Sequence, residues 1–156
     1  MDLKQLYQDI ILEHGKSPRN LGKCEGYSHD AKGYNPLCGD KVHVYLKLDS
    51  GKKVESLTFE GEGCAISLAS ASIMTELVKG KSFEEAKEIM DAFLNMIKNT
   101  TEIQTNYLGE DEKTKLMSLS GVKQFPMRVK CATLSWHTLN SAMEGEKEEV
   151  NTEAID

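Results

Sequence analysis

Three cysteines, Cys38, Cys64 and Cys131, stand far apart along the chain, and each lies in a local setting that can turn a thiol toward an open site. Glycines flank the first two and allow the backbone to come close to a bound atom. Asp40 follows Cys38 by two residues, so in a tight turn its carboxylate and the thiolate can face one point. Three sulfurs and one carboxylate would form a four-coordinate site suited to zinc or to an iron–sulfur unit.

Spacing alone does not define this site, because the sequence contains no CxxC pair. A single cysteine is most often a small buried side chain, and Cys24 is interpreted in that way. Asp40 could instead stabilise its own turn. Arg128 and Lys130 place positive charge next to Cys131, although Lys130 could equally be a solvated helix residue. The four histidines show no ligand-like pairing, and they are His14, His29, His43 and His137.

The residues around the three cysteines resemble the U-type iron–sulfur cluster assembly proteins, the family of SufU, IscU and NifU. The resemblance extends from about residue 3 to about residue 143. Its matching stretches are Ser17–Asn20, Asn35–Asp40, Phe59–Cys64 with Ser70–Ser72, Val78–Lys81 and Phe125–Trp136. IscU proteins carry a histidine immediately before the third cysteine, where this chain has Lys130. They also lack the segment between Lys98 and Val122, so the chain resembles the SufU branch most.

The SufU-like resemblance implies a zinc-dependent sulfurtransferase. Zinc would be bound by Cys38, Asp40, Cys64 and Cys131. Cys38, on its Gly-flanked loop, would accept persulfide sulfur from a cysteine desulfurase of the SufS type and relay it to downstream iron–sulfur assembly proteins. The alternative is a scaffold without turnover, on which Cys38, Cys64 and Cys131 hold a transient iron–sulfur cluster. A cysteine hydrolase or a thioredoxin-like enzyme is disfavoured, since the sequence shows neither a paired histidine nor a CxxC motif.

Length and charge narrow the class of protein further. The 156 residues fit one domain over residues 1–143 followed by an acidic tail over 144–156, which we expect to be disordered. The tail holds six acidic side chains and one lysine, so it accounts for −5 of the net charge of −6 and leaves the domain at −1. A nearly neutral domain argues against nucleic acid as a partner. The sequence has no apolar run long enough to span a membrane and no signal peptide, so we expect cytoplasmic, reduced thiols.

The hydrophobic pattern predicts an α+β fold, in which a small antiparallel sheet of about three strands packs with about five helices. Alternation over residues 42–48 predicts a strand, 54–59 its hairpin partner, and 27–34 a weaker strand before them. Helices are predicted from an Asp2 cap to about His14, over 66–79, from a Ser82/Glu85 capping box to about Lys98, and from Pro126 with a core stripe that runs through Trp136 to Met143.

Residues 99–121 predict a polar loop with one short helix, because apolar positions are scattered through it, at Tyr107, Leu116, Met117 and Leu119. We expect this segment to cover one side of the domain and to help select the partner desulfurase.

Overall fold

A computed structural model of the chain describes residues 3–99 and 102–154, with Leu3 described by its backbone alone. Within that part it shows five α-helices, one four-stranded sheet and two short 3₁₀ turns. In chain order these are α1 Leu3–Lys16, β1 His29–Asn35, β2 Asp40–Leu48, β3 Val54–Glu62, α2 Ala65–Val78, α3 Phe83–Asn99, α4 Glu110–Ser118, a 3₁₀ turn Leu119–Gln124, α5 Pro126–Glu144, β4 Val150–Asn151 and a 3₁₀ turn Thr152–Ala154.

The sheet has the strand order β3-β2-β1-β4. Strands β1, β2 and β3 form an antiparallel meander, in which Val44 lies opposite Ala31 on one side and Phe59 on the other. These three residues are buried and face the helices, whereas Lys41 and His43 alternate onto the opposite, more polar face. The period-2 alternation of the sequence therefore matches both the position of the strands and the face that they bury.

The helices cover one face of this sheet. Helix α5 packs over β1 and β2, and α2 packs against α5 and β3. Small residues on α2 allow this close approach, and Ser70 accepts a hydrogen bond of 3.1 Å from the indole nitrogen of Trp136. Trp136 is fully buried and stacks on Phe93 of α3, which joins the third helix to the core.

The predicted α+β class, the meander and the helix positions are confirmed. The capping box is present, since Ser82 and Glu85 exchange side-chain-to-backbone hydrogen bonds of 2.9 and 3.1 Å. The predicted cap Asp2 lies outside the described residues. None of the helices in the described part of the chain combines the length and the apolar character needed to cross a membrane.

The acidic tail differs from the prediction. We expected residues 144–156 to be disordered, but α5 continues to Glu144 and Val150–Asn151 adds a fourth strand, parallel to β1. Thr152 is 1 % exposed. The structure thus places residues 150–154 in a strand and a 3₁₀ turn, which no sequence pattern indicated, because a two-residue strand and one buried threonine leave no periodicity that a sequence could display.

The segment over residues 99–121 contains the predicted short helix, α4, but several of its apolar side chains are buried in the core of the domain. Leu116 and Leu119 are fully buried, and Ile103 and Leu108 are also part of the core. Tyr107 remains 38 % exposed. The segment packs against α1 and so covers one side of the domain, as expected. Its role in selecting a partner stays a prediction.

Candidate metal centre

The turn between β1 and β2 brings the first site residues to the edge of the sheet. The two strands pair up to Asn35 and Asp40, which lie opposite each other. Gly39 has φ +75° and donates its backbone N–H to the carbonyl of Asn35 at 2.8 Å, which closes the turn. Cys38 lies in this turn and is half-buried.

Asp40 is fully buried, and both of its carboxylate oxygens accept hydrogen bonds. Oδ1 accepts from the backbone N–H of Cys64 at 2.9 Å, and Oδ2 accepts from Nδ2 of Asn35 at 3.0 Å. Gly63 makes this approach possible, because a Cβ at that position would lie 2.3 Å from Oδ1 and because its φ is +150°. The carboxylate thus ties the β1–β2 turn to the start of α2.

Cys64 is the N-cap residue of α2, in extended backbone conformation. A hydrogen bond from the thiol of Cys131 lowers the pKa of Cys64 to about 6, and the backbone N–H groups of Ser67 and Ile66 act in the same direction. A helix N-terminus favours an anionic sulfur in the same way. Of the hydrogen-bonded pair Cys64 and Cys131, Cys64 is therefore the thiol that ionises first.

Cys131 lies on the second turn of α5 and is fully buried. Its hydrogen bond to Cys64, together with burial, raises its pKa above the ordinary value. Two neighbouring thiols cannot both ionise in a buried site unless a cation compensates their charge. The pair is therefore arranged for a positively charged ligand.

Arg128 supplies the positive charge that the sequence placed beside Cys131. Its Nη1 lies 3.8 Å from the sulfur of Cys38, and the neighbouring thiols, Cys131 first, raise the pKa of the guanidinium. Lys130 lies elsewhere, since its Nζ pairs with Glu153 at 3.4 Å. The geometry therefore favours the interpretation of Lys130 as a solvated helix residue over a role as positive charge beside Cys131.

The sulfurs of Cys38 and Cys131 and a carboxylate oxygen of Asp40 all lie within 4.8 Å of one another. Ligands of a tetrahedral zinc, at about 2.0–2.3 Å from the metal, lie roughly 3.3–3.8 Å apart, so this donor set fits zinc. Cys64 is the exception. Its sulfur lies outside this group although it accepts a hydrogen bond from Cys131, so it has to move toward the other three for four-fold coordination.

The remaining candidates lie apart from this centre. Cys24 is buried, with its sulfur directed at the carbonyl of Glu25 at 3.7 Å. His43, on the polar sheet face as predicted, pairs with Asp30 at 2.6 Å. His14 is buried and bonded to the hydroxyl of Ser72 at 2.8 Å.

Two residues with a role at the centre were not identified from the sequence. Asn35 belongs to a matching stretch, but nothing in the sequence indicated that its amide would contact both Asp40 and Cys131. Thr152 gave no signal at all, because its contact with Asn35 spans 117 positions of the chain.

Comparison with known proteins gives a consistent result. The profile of the NifU-like N terminal domain family matches residues 6–144. The chain is 42 % identical over 146 residues to the zinc-dependent sulfurtransferase SufU of Bacillus subtilis, covering 94 % of this chain and 95 % of the relative. It is 39 % identical to the iron-sulfur cluster assembly scaffold protein IscU of Streptococcus pyogenes, covering 90 % and 84 %.

A solved structure is similar over the same range. The crystal structure of an iron-sulfur cluster assembly scaffold protein for the SUF system from Fervidobacterium islandicum superposes with a TM-score of 0.78 at 38 % identity. The alignment covers 89 % of this chain and 97 % of that one.

Proposed function

The chain belongs to the NifU-like N-terminal domain family and is a U-type iron–sulfur cluster assembly protein, and within that family we propose that it accepts persulfide sulfur from a cysteine desulfurase at a zinc-bound cysteine site and relays it for cluster biogenesis. Cys38, Asp40, Cys64 and Cys131 are the proposed zinc ligands, and Cys38 is the proposed sulfur acceptor. The desulfurase is proposed to be of the SufS type, and downstream assembly proteins are the proposed recipients.

One observation carries this proposal: two chain segments bring two thiols and one carboxylate within 4.8 Å of one another, and a third segment places the Cys64 thiol in a hydrogen bond with Cys131. A structural zinc clip is usually built from ligands close in sequence, whereas a centre assembled at an open edge leaves a ligand accessible for chemistry. The identity to the SufU of B. subtilis supports zinc as the metal.

Burial excludes Cys131 as the acceptor, and the bonding of the two half-buried thiols favours Cys38 over Cys64. Cys131 is fully buried and cannot meet the persulfide of a partner protein. Cys64 is half-buried, but its backbone N–H is bound to Asp40 and its sulfur accepts bonds from Cys131 and the helix. Cys38 lies in the turn, where its sulfur contacts the guanidinium of Arg128.

The proposed transfer is a thiol–disulfide exchange and requires no net oxidant. The Cys38 thiolate attacks the outer sulfur of the desulfurase persulfide. A sulfur–sulfur bond forms on Cys38, the bond within the donor persulfide breaks, and the donor cysteine leaves as a thiolate. Arg128 would stabilise the anionic sulfur on Cys38, because its charge lies beside that atom.

Bound zinc would supply a positive charge that keeps the sulfurs of Cys38, Cys64 and Cys131 deprotonated at neutral pH. The chain's own residues hold that arrangement: Asp40 links the turn to α2, and Gly63 leaves room for its carboxylate. The four cysteines are free thiols in the structure, and we expect the protein to act in the cytoplasm, where thiols remain reduced.

The substitution Cys38→Ser tests the acceptor. We expect it to abolish stimulation of the desulfurase while part of the zinc is retained, since the other ligands remain. Alkylation of the wild-type protein after reaction with desulfurase and cysteine, followed by mass spectrometry, should locate the persulfide on Cys38. Cys24→Ser is the matched control and should leave stimulation unchanged. A persulfide found only on Cys131 or Cys24 would refute the assignment.

The alternative function is a scaffold for a transient iron–sulfur cluster. It is favoured by the names of two similar proteins, the IscU of S. pyogenes and the F. islandicum protein, which are both described as scaffolds. Cys38, Cys64 and Cys131 would then be the cluster ligands. Anaerobic reconstitution that yields a stable, stoichiometric cluster, in a protein that does not stimulate a desulfurase, would decide for this function.

A further inference from the structure

The last described residues of the chain run along the edge of the sheet beside the metal centre. Val150–Asn151 forms β4, which pairs in parallel with β1 at Gly33 and Tyr34. The 3₁₀ turn Thr152–Ala154 follows directly. We call residues Val150–Ala154 the tail strap. It passes the point at which β1 enters the turn of the proposed zinc site.

A chain of hydrogen bonds connects the strap with two of the proposed ligands. Thr152 is 1 % exposed, and its Oγ1 donates to Oδ1 of the fully buried Asn35 at 2.9 Å. At the other end of the same amide, Nδ2 donates to Oδ2 of Asp40 at 3.0 Å and to the sulfur of Cys131 at 3.4 Å.

The chemistry of these groups fixes the direction of the bonds. The carboxylate of Asp40 accepts and cannot donate when ionised, so the amino end of the Asn35 amide must face it. The carbonyl end is then turned toward the strap, where the hydroxyl of Thr152 donates to it. Without that hydroxyl, a buried carbonyl oxygen would lose this donor, which favours rotation of the amide away from the site.

We propose that the tail strap positions the zinc ligands: Thr152 fixes the amide of Asn35, and Asn35 holds Asp40 and Cys131 in the geometry that binds metal. This inference rests on the proposed zinc site. Thr152 is a positioning residue, since it reaches the ligands only through Asn35. Groups that hydrogen-bond metal ligands commonly change metal affinity by about 10- to 100-fold when they are removed.

The test is Thr152→Val, which removes the hydroxyl and keeps the side-chain shape. We expect zinc affinity, measured by competition with a chromophoric chelator, to fall roughly tenfold, at the lower end of that range because Thr152 acts through another residue. The visible absorption spectrum of the cobalt-substituted protein should also change, because it reports the geometry of the thiolate and carboxylate ligands. Thr152→Ser keeps a hydroxyl group and should therefore retain the zinc affinity and the cobalt spectrum of the wild type.

Glu153→Gln is the matched control within the strap. It removes the ion pair with Lys130 and leaves the hydroxyl of Thr152 in place, so affinity and spectrum should match the wild type. The proposal is overturned if Thr152→Val behaves as the wild type, or if Glu153→Gln produces the same changes. Failure of the wild-type protein to bind either metal would overturn the zinc site as well, which distinguishes the two inferences.

Discussion

Two regions of this molecule are each held in place by a different kind of interaction. The turn from Asn35 to Asp40 is fixed by hydrogen bonds, with Asp40 alone accepting one from Asn35 and one from Cys64. The segment from Ile103 to Val122 is fixed by apolar burial, since all of its isoleucine, leucine and valine side chains lie in the hydrophobic core.

These two kinds of interaction have different consequences for metal binding and for stability. Hydrogen bonds are directional, so they can set the orientation of a carboxylate or a thiol. Burial of apolar surface is not directional but contributes most of the folding free energy. We therefore expect substitutions in the turn to change metal binding more than stability, and substitutions in the 103–122 segment to do the reverse.

The largest effect is expected for Gly63→Ala, which affects both properties. The new methyl group would lie 2.3 Å from Oδ1 of Asp40, in a backbone conformation with φ +150° that suits glycine. We expect a loss of about 2–5 kcal/mol in the free energy of unfolding and a large loss of zinc affinity, measured by urea titration and chelator competition.

Gly39→Ala is the matched control for this substitution. Gly39 also has a positive φ, +75°, but nothing lies within 4 Å of the position of its Cβ. It should cost only about 1 kcal/mol and retain zinc. Equal effects of the two substitutions would show that backbone strain, and not the space around Asp40, limits the site.

Leu119→Ala tests the other half of the comparison. Leu119 is fully buried, so its truncation should cost about 2–5 kcal/mol, while the folded protein should still bind one zinc ion. Tyr107→Ala, at a position 38 % exposed, is the control in the same segment and should cost less than about 1 kcal/mol. Loss of zinc from folded Leu119→Ala protein would contradict the expectation that this segment affects stability more than metal binding.

The smallest effect concerns pH and lies outside both regions. Burial lowers the pKa of His14 below its ordinary value of 6.5, and the nearby guanidinium of Arg19 adds to this. Between the lowered pKa of His14 in the folded protein and the ordinary value of 6.5 in the unfolded chain, the unfolded chain binds more protons. The contribution of His14 to the free energy of unfolding is therefore fully present above about pH 6.5 and decreases as the pH falls below it.

Urea titrations at several pH values between 7.5 and 5 should show this decrease, and His14→Gln should reduce its slope. Burial also lowers the pKa of His137, so this residue should account for a further part of the slope, and His137→Gln is the parallel variant. An unchanged slope in His14→Gln would show that the buried imidazole does not carry this dependence.

Local patterns were sufficient for most of the fold. Alternation around Val42–Leu48 and the Ser82/Glu85 capping box act over a few residues, and such signals are legible in a single sequence. Residues 99–121 were only partly predicted. Their apolar positions are scattered, and the burial of Leu116 and Leu119 depends on helices that pack from other parts of the chain.

By itself, the sequence determined which residues could ligate a metal, because thiols and a carboxylate next to glycines are chemical features of the chain. Only the tertiary structure decided how they are arranged. It placed Arg128 and not Lys130 beside the sulfurs, left the sulfur of Cys64 outside the ligand group, and brought Thr152 to Asn35. Such contacts join residues up to 117 positions apart, and they arise only when strands and helices have packed, so no local pattern encodes them.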